Sequence, residues 1–449
     1  MMMSLMNLTQ RSYFEALADA VCQAKADERL SLYLKAEATD FIRFNHAAVR
    51  QATHVLQAHA TLALVRGSRS AESTLTLSGD LAHDTAALRA EHVRLAHDLP
   101  QLPEDPYLLL PDAVVNTTRE DHGVIPRPDE VIAAVAEHAK GLDLVGLYAG
   151  GPVVRAYADS RGQRNWHRVE SFQFDWCIYH AADKAVKTSY AGARWQTEEF
   201  VRRVHEAGER VKLLAREART LEPGAYRAYF APAAMGELLG TLSWGGFGLK
   251  ERRTGTSSLT RLANGEAQLH RAFQLGEDLG ASSAPAFTPK GFTRPESVAL
   301  ITDGRAADSL NSPRSAREYG LPTNGASAQE APEALRLAAG SLAESDVLRE
   351  LGTGLYISNL HYLNYSDRQA CRMTGMTRFA CFWVEDGQLV APLNVMRFDD
   401  GFLRLFSDEG LVALTDAQEW LPESNTYGSR MLSSITTPGA LVSGFQLTL

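Results

Sequence analysis

The residues best suited to chemistry lie in Met235–Thr241, M-G-E-L-L-G-T. Glu237 supplies a carboxylate, and a carboxylate beside a bound metal ion can serve as general base for water. Its neighbours do not complete a metal site. Gly236 has no side chain, Thr241 is not a normal zinc ligand, and a single Glu cannot hold zinc tightly. The element that carries them is legible. Tyr226–Phe230 (YRAYF) reads as a short apolar-aromatic strand and Ala231–Ala233 (APA) as a turn. Leu238, Leu239 and Leu242 then supply the apolar positions of a helix.

Other groups are weaker candidates. His361, Tyr362, Asn364 and Tyr365 form a polar-aromatic cluster that reads as a loop after a strand. It fits either peptide contact or a packed loop with hydrogen-bonded tyrosines. Lys250, Arg252 and Arg253 form a short basic cluster, suited to a peptide carboxylate, to a partner's acids or to plain solvation. Gly245, Gly246 and Gly248 beside it lack P-loop spacing, with no Lys-Ser/Thr following, and read as a flexible loop. Cys371 and His361 match no known thiol-protease signature. Asp399 and Asp400 read as a turn.

Composition narrows the class. A chain of 449 residues is long enough for two or more domains with sizeable cores. The net charge of −9 argues against non-specific nucleic-acid binding, which needs a basic face. The N-terminus shows no basic region, long apolar stretch or cleavage site, and apolar runs elsewhere are too short to span a bilayer. A cytoplasmic location without membrane contact is the expectation. The cysteines, Cys22, Cys177, Cys371 and Cys381, show no C-x-x-C spacing, and Cys22 and Cys381 read as core thiols.

The expected order of elements begins with a helix at Thr9–Ala24, then strands at Leu30–Ala36, Phe41–Asn45, His54–Val65 and Ser73–Leu77, then a helix at Leu81–His97. Residues 99–128, rich in Pro and Asp, read as a connector into a helix from Pro128 to about Lys140. Strands follow at Asp143–Tyr148, Val153–Ala158, Asn165–Val169 and Ser171–His180, with Gly150–Pro152 and Asp159–Gly162 as turns. Thr197–Arg219 reads as a long helix. Beyond Pro223 and Gly224 the chain is β-rich, with a short strand at Ser297–Asp303 in an otherwise irregular stretch. Phe379–Val384 and Gln388–Leu393 flank an Asp-Gly hairpin turn, and Asp400-Gly401 leads into a strand at Phe402–Phe406. Helices among antiparallel strands, without βαβ crossovers, predict an α+β fold. The expected division is an N-terminal α+β domain over 1–222 and a β-rich C-terminal domain over 223–449.

In order along the chain, these landmarks resemble the TldD/PmbA family. They are the long helix ending in L-E-P-G, the strand and helix around Glu237, Gly354–Arg378 and the hairpin within Val384–Met396. In that family the equivalent helix carries H-E-x-x-x-H, with a C-terminal cysteine as third ligand in the TldD branch and none of the three in the PmbA (TldE) branch. Here Gly236 and Thr241 stand at the His positions, and Ser433 and Ser434 occupy the approximate region of the cysteine. The chain thus resembles the PmbA branch. The resemblance implies a non-catalytic subunit of a cytosolic peptidase complex that takes unfolded peptides. It implies a TldD-type partner carrying the zinc and no metal on this chain. The alternatives are a stand-alone peptidase with a non-standard site and a peptide-binding or scaffold homodimer.

Overall fold

The computed structural model describes residues 6–181 and 184–448, so the first residues of the N-terminal targeting reading lie outside it. The fold is α+β, as expected, built on two sheets. The first sheet comprises β1 (Arg29–Asn45), β2 (Ala48–Arg66), β3 (Arg69–Thr76), β4 (Thr117–Asp121), β5 (Asp143–Asp159), β6 (Arg164–Ala181) and β7 (Lys184–Gly192). Their order is β3-β2-β1-β5-β6-β4, and β7 pairs with the second half of β6. One face packs α1 (Arg11–Val21) and α2 (Leu81–Asp98) through Phe14, Leu17, Leu88 and Leu95. The other packs α3 (Pro128–His138) and α4 (Thr197–Leu214), where Val131, Phe200 and Val204 meet Phe172, Phe174 and Trp176.

Several short expected strands prove to be halves of long ones. Leu30–Ala36 and Phe41–Asn45 are both parts of β1. The alternation was masked because Glu37 and Thr39 point inward, and they are buried with partners. Thr39 and Gln57 donate to the Glu37 carboxylate, as does the Arg430 backbone N–H. Gly150–Pro152 is no turn but the middle of β5. Gly151 has φ +143°, and a Cβ there would lie 2.0 Å from the Ala38 carbonyl oxygen, so glycine lets β1 approach closely. Asn165–Val169 and Ser171–His180 likewise join in β6, the connector at 99–128 contains β4, and α4 ends at Leu214, not Arg219.

Among the described residues the second sheet has thirteen strands. At its centre β8 (Gly224–Phe230) lies between β20 (Ser434–Leu447), antiparallel, and β13 (Gly354–Ile357), parallel. Beyond β13 come β16 (Phe382–Glu385) and β17 (Gln388–Pro392). Their hairpin turns as the sequence predicts, with Asp386 at φ 48° and Gly387 at φ 74°. Beyond β20 come β12 (Ala334–Leu337), β9 (Leu275–Asp278), β10 (Ser297–Thr302) and β11 (Arg305–Ala306). The strands β14 (Asn359–Asp367), β15 (Arg372–Arg378), β18 (Arg397–Gly401) and β19 (Leu411–Pro422) complete it.

Two expectations fail here for local reasons. Asp399 and Asp400 lie in β18, and Phe402–Leu405 is a short helix, not a strand. A brief apolar run does not distinguish the two. The buried Asp400 carboxylate decides it by pairing with Arg404 one turn on and accepting the Gln446 N–H. The basic cluster stands on a short helix, Leu249–Thr254, that follows the glycine loop. Among the described residues no helix is long and apolar enough to cross a membrane.

Candidate functional site

The helix that carries Glu237 is α5 (Pro232–Leu242), entered directly from β8 with Pro232 in its first turn. Met235, Leu238, Leu239 and Leu242 are buried against Phe230, Phe247 and Leu259 in the core of the second sheet. Each such side chain contributes about 1.5–3 kcal/mol through burial. Another face of α5 meets β19 and β20. A Cβ at Gly236 would lie 2.6 Å from Leu421 Cδ1, and one at Gly240 3.7 Å from Ile435 Cδ1. Gly236 therefore lets the helix lie close to Leu421, whereas a side chain at Gly240 would meet Ile435 at ordinary contact distance. Thr241 is buried, and its hydroxyl donates to the Glu237 carbonyl oxygen at 3.0 Å.

Glu237 turns away from that contact, and its carboxylate accepts the backbone N–H of Leu360 on β14. It lines a cavity of about 630 Å³. Asp175 on β6, Lys187 on β7, His361 on β14, and Ser433 and Ser434 face the same space, so both sheets contribute. Burial pushes the Glu237 pKa up to about 7, against the opposing pull of the Leu360 N–H and Lys187. Burial also pushes Asp175 up to about 6, with Lys187 opposing and Glu423 adding to the rise. His361 moves down from its ordinary value, first through burial and then through Arg378 and Lys187.

The cluster read as a loop is in fact strand β14 with a bulge. The register against β15 shifts between His361 and Asn364, and Tyr362 sits at φ 52°. A bulge re-aims side chains, and here it leaves Tyr362 75% exposed on the cavity wall with its ring against His361. Asn364 and Tyr365 lie elsewhere. Asn364 is exposed, and Tyr365 braces α5 from behind by donating to the Thr241 carbonyl. Lys250 and Arg252 are also outside the cavity. The Lys250 backbone N–H donates to Glu330, and half-buried Arg252 reaches the Ala307 carbonyl. Sequence reading missed Asp175 and Lys187. They come from strands remote in sequence, and no local pattern marks them.

The donor set does not fit a zinc ion. Gly236 offers no atom, Leu421 fills the space beside it, and the Thr241 hydroxyl is engaged by its own helix. Among the described residues no group of three His, Cys, Asp or Glu side chains converges as a metal site requires. What the cavity does offer is a carboxyl near neutrality that can donate or accept, a second carboxyl, an amine and an exposed tyrosine. These are groups that can meet the amides and charges of an extended chain.

Residues 223–449 match the family described as PmbA/TldA metallopeptidase C-terminal domain, and the chain belongs to this PmbA/TldD family. Solved structures share the fold across nearly the whole chain. TldE from Thermococcus kodakarensis is 13% identical, with 99% of this chain and 100% of that chain covered at TM-score 0.74. A candidate modulator of a DNA gyrase from Thermotoga maritima is also 13% identical, with 97% and 99% covered at TM-score 0.74. A similar protein from Bacteroides thetaiotaomicron is 16% identical, with 98% of each chain covered at TM-score 0.71. No curated protein matches the chain.

Proposed function

We propose that this chain is a TldE-like, non-catalytic subunit of a cytoplasmic metallopeptidase complex that processes unfolded peptides. The zinc and the bond cleavage belong to a TldD-type partner, and this chain helps to enclose and hold the substrate. The observation that carries the reading is the state of α5. Glu237 is kept and faces the cavity, while the two flanking ligand positions, Gly236 and Thr241, serve helix packing. The exposed Tyr362 and the charged groups on a mixed polar and apolar cavity wall support a peptide-holding role, in which an extended segment is recognised through its backbone.

Native mass spectrometry with zinc analysis, on protein purified gently from its own cells, tests this. A heteromer with a second chain that carries the zinc is the expected result. A zinc-free homodimer would favour a scaffold role. Chelator-sensitive cleavage of a disordered peptide by the purified single chain would refute the reading.

A further inference from the structure

A second cavity, of about 700 Å³, lies behind the first, and Ala331, Pro332 and Ser433 line both. The two differ in charge. The first presents Asp175, Glu237 and Glu423 against Lys187. The second presents Lys35, Arg155 and Lys290, none of which has an ion-pair partner among the described residues. The other charged groups on its wall are engaged: Arg314 with Asp105, and Glu333 with Arg294.

Arg155 is the informative residue. It is 6% exposed, and its guanidinium donates only to the carbonyl oxygens of Val154 at 2.8 Å and Arg430 at 3.1 Å. Arg430 beside it is also buried and lacks an ion pair among the described residues. The one buried carboxylate nearby, Glu37, already accepts from Thr39, Gln57 and the Arg430 backbone N–H. Among the described residues neither guanidinium is hydrogen-bonded or ion-paired to Glu37. A buried cation without a counter-charge is costly, and this excess of positive charge stands in a chain of net charge −9. An anion in the cavity would offset it. The rest of the wall mixes apolar and aromatic side chains, Tyr107, Leu109, Phe287 and Leu432 among them, with polar ones such as Thr288 and Gln329. The volume is that of a small-molecule site.

We propose that this second cavity binds a small anion that carries an apolar or aromatic body. The anionic group lies against Arg155 and Lys35, with Lys290 at the exposed side, and the body lies against Tyr107 and Phe287. Cavities of opposite charge on two sides of the wall at Ser433 let this ligand bind apart from whatever occupies the first.

Isothermal titration calorimetry on the full chain tests this with N-acetylphenylalanine, its uncharged amide and phenyl phosphate as probes. At least one acid is expected to bind, with the amide tenfold or more weaker, and the stronger acid identifies the anionic group as carboxylate or phosphate. Arg155→Gln is expected to weaken binding tenfold or more, since charge-assisted hydrogen bonds are the strong ones. As Arg155 is buried, the double variant Lys35→Gln/Lys290→Gln serves as the check that keeps the fold, with a loss of about tenfold expected. Absence of binding by both acids at millimolar concentration would overturn the proposal. Equal binding of acid and amide, or an affinity unchanged in the double variant, would also overturn it.

Discussion

The backbone N–H of Leu360 donates to the carboxylate of Glu237 and ties β14 to the cavity face of α5. That bond favours the ionised carboxylate, yet burial outweighs it, and the Glu237 pKa stands at about 7. Glu237 is therefore held in place by one backbone group while its charge is disfavoured by its surroundings.

A stability prediction follows from the sign of that shift. An acid whose folded pKa lies above its unfolded value, about 4.3 for Glu, leaves the fold unpenalised below pH 4. Its penalty grows as pH rises and is complete above the folded pKa near 7. Glu237→Gln keeps an acceptor for the Leu360 N–H and removes the charge. The variant should be more stable than wild type by about 1–3 kcal/mol at pH 8, and indistinguishable at pH 4. Urea denaturation at the two pH values measures this, and a pH-independent difference would contradict it.

Two glycine substitutions should separate packing that yields from packing that does not. Gly236→Ala places a methyl against the tip of Leu421, a half-buried side chain on the cavity wall with space to turn. The gain in helix propensity, up to about 1 kcal/mol, opposes the contact, so stability should stay within about 1 kcal/mol of wild type. Gly151→Ala drives a Cβ to 2.0 Å from the Ala38 carbonyl oxygen at φ +143°. Backbone cannot turn aside, and a loss of at least about 3 kcal/mol is expected in denaturant titration.

These glycines also show why the sequence was readable in parts. The α5 helix, the Asp-Gly hairpin and the helices of the first sheet follow local patterns of apolar spacing and turn chemistry, and the structure contains them. Gly150–Pro152 carries the same turn chemistry, yet serves a close strand contact with Ala38 that only tertiary structure reveals. The inward Glu37 and Thr39 broke the alternation of β1 because their partners, Gln57 and Arg430, are remote in sequence. The candidate site divides in the same way. Glu237 and His361 were visible from their own segments, whereas Asp175 and Lys187 enter the cavity only through the packing of the first sheet against the second.

Tyr362 offers a test of substrate holding apart from stability. With 75% of its surface exposed, it contributes little to the core. Tyr362→Ala should change unfolding free energy by less than about 0.5 kcal/mol. If the proposed complex forms and its cavity holds peptide, the same variant should weaken capture of a disordered peptide by that complex severalfold, measured by fluorescence anisotropy. Unchanged capture would remove Tyr362 from the peptide path.

The strongest electrostatic dependence should lie away from the cavity, at Arg294. Its guanidinium donates to Glu277 and to Glu333, each at 2.8 Å, and Arg294 and Glu277 are each 3% exposed at their side chains. Burial already holds the Glu277 pKa above the usual carboxylate range, with Arg294 as the main opposing influence. Arg294→Met removes that influence and leaves a buried carboxylate whose pKa rises further. Breaking one side of a buried pair costs about 3–5 kcal/mol. A raised folded pKa makes the cost smallest where Glu277 is protonated, so the loss should deepen as pH rises from 5 to 8. Thermal unfolding across that range checks it. Adding Glu277→Gln should recover part of the stability at pH 8 and little at pH 5, because it removes the charge that Arg294 had compensated.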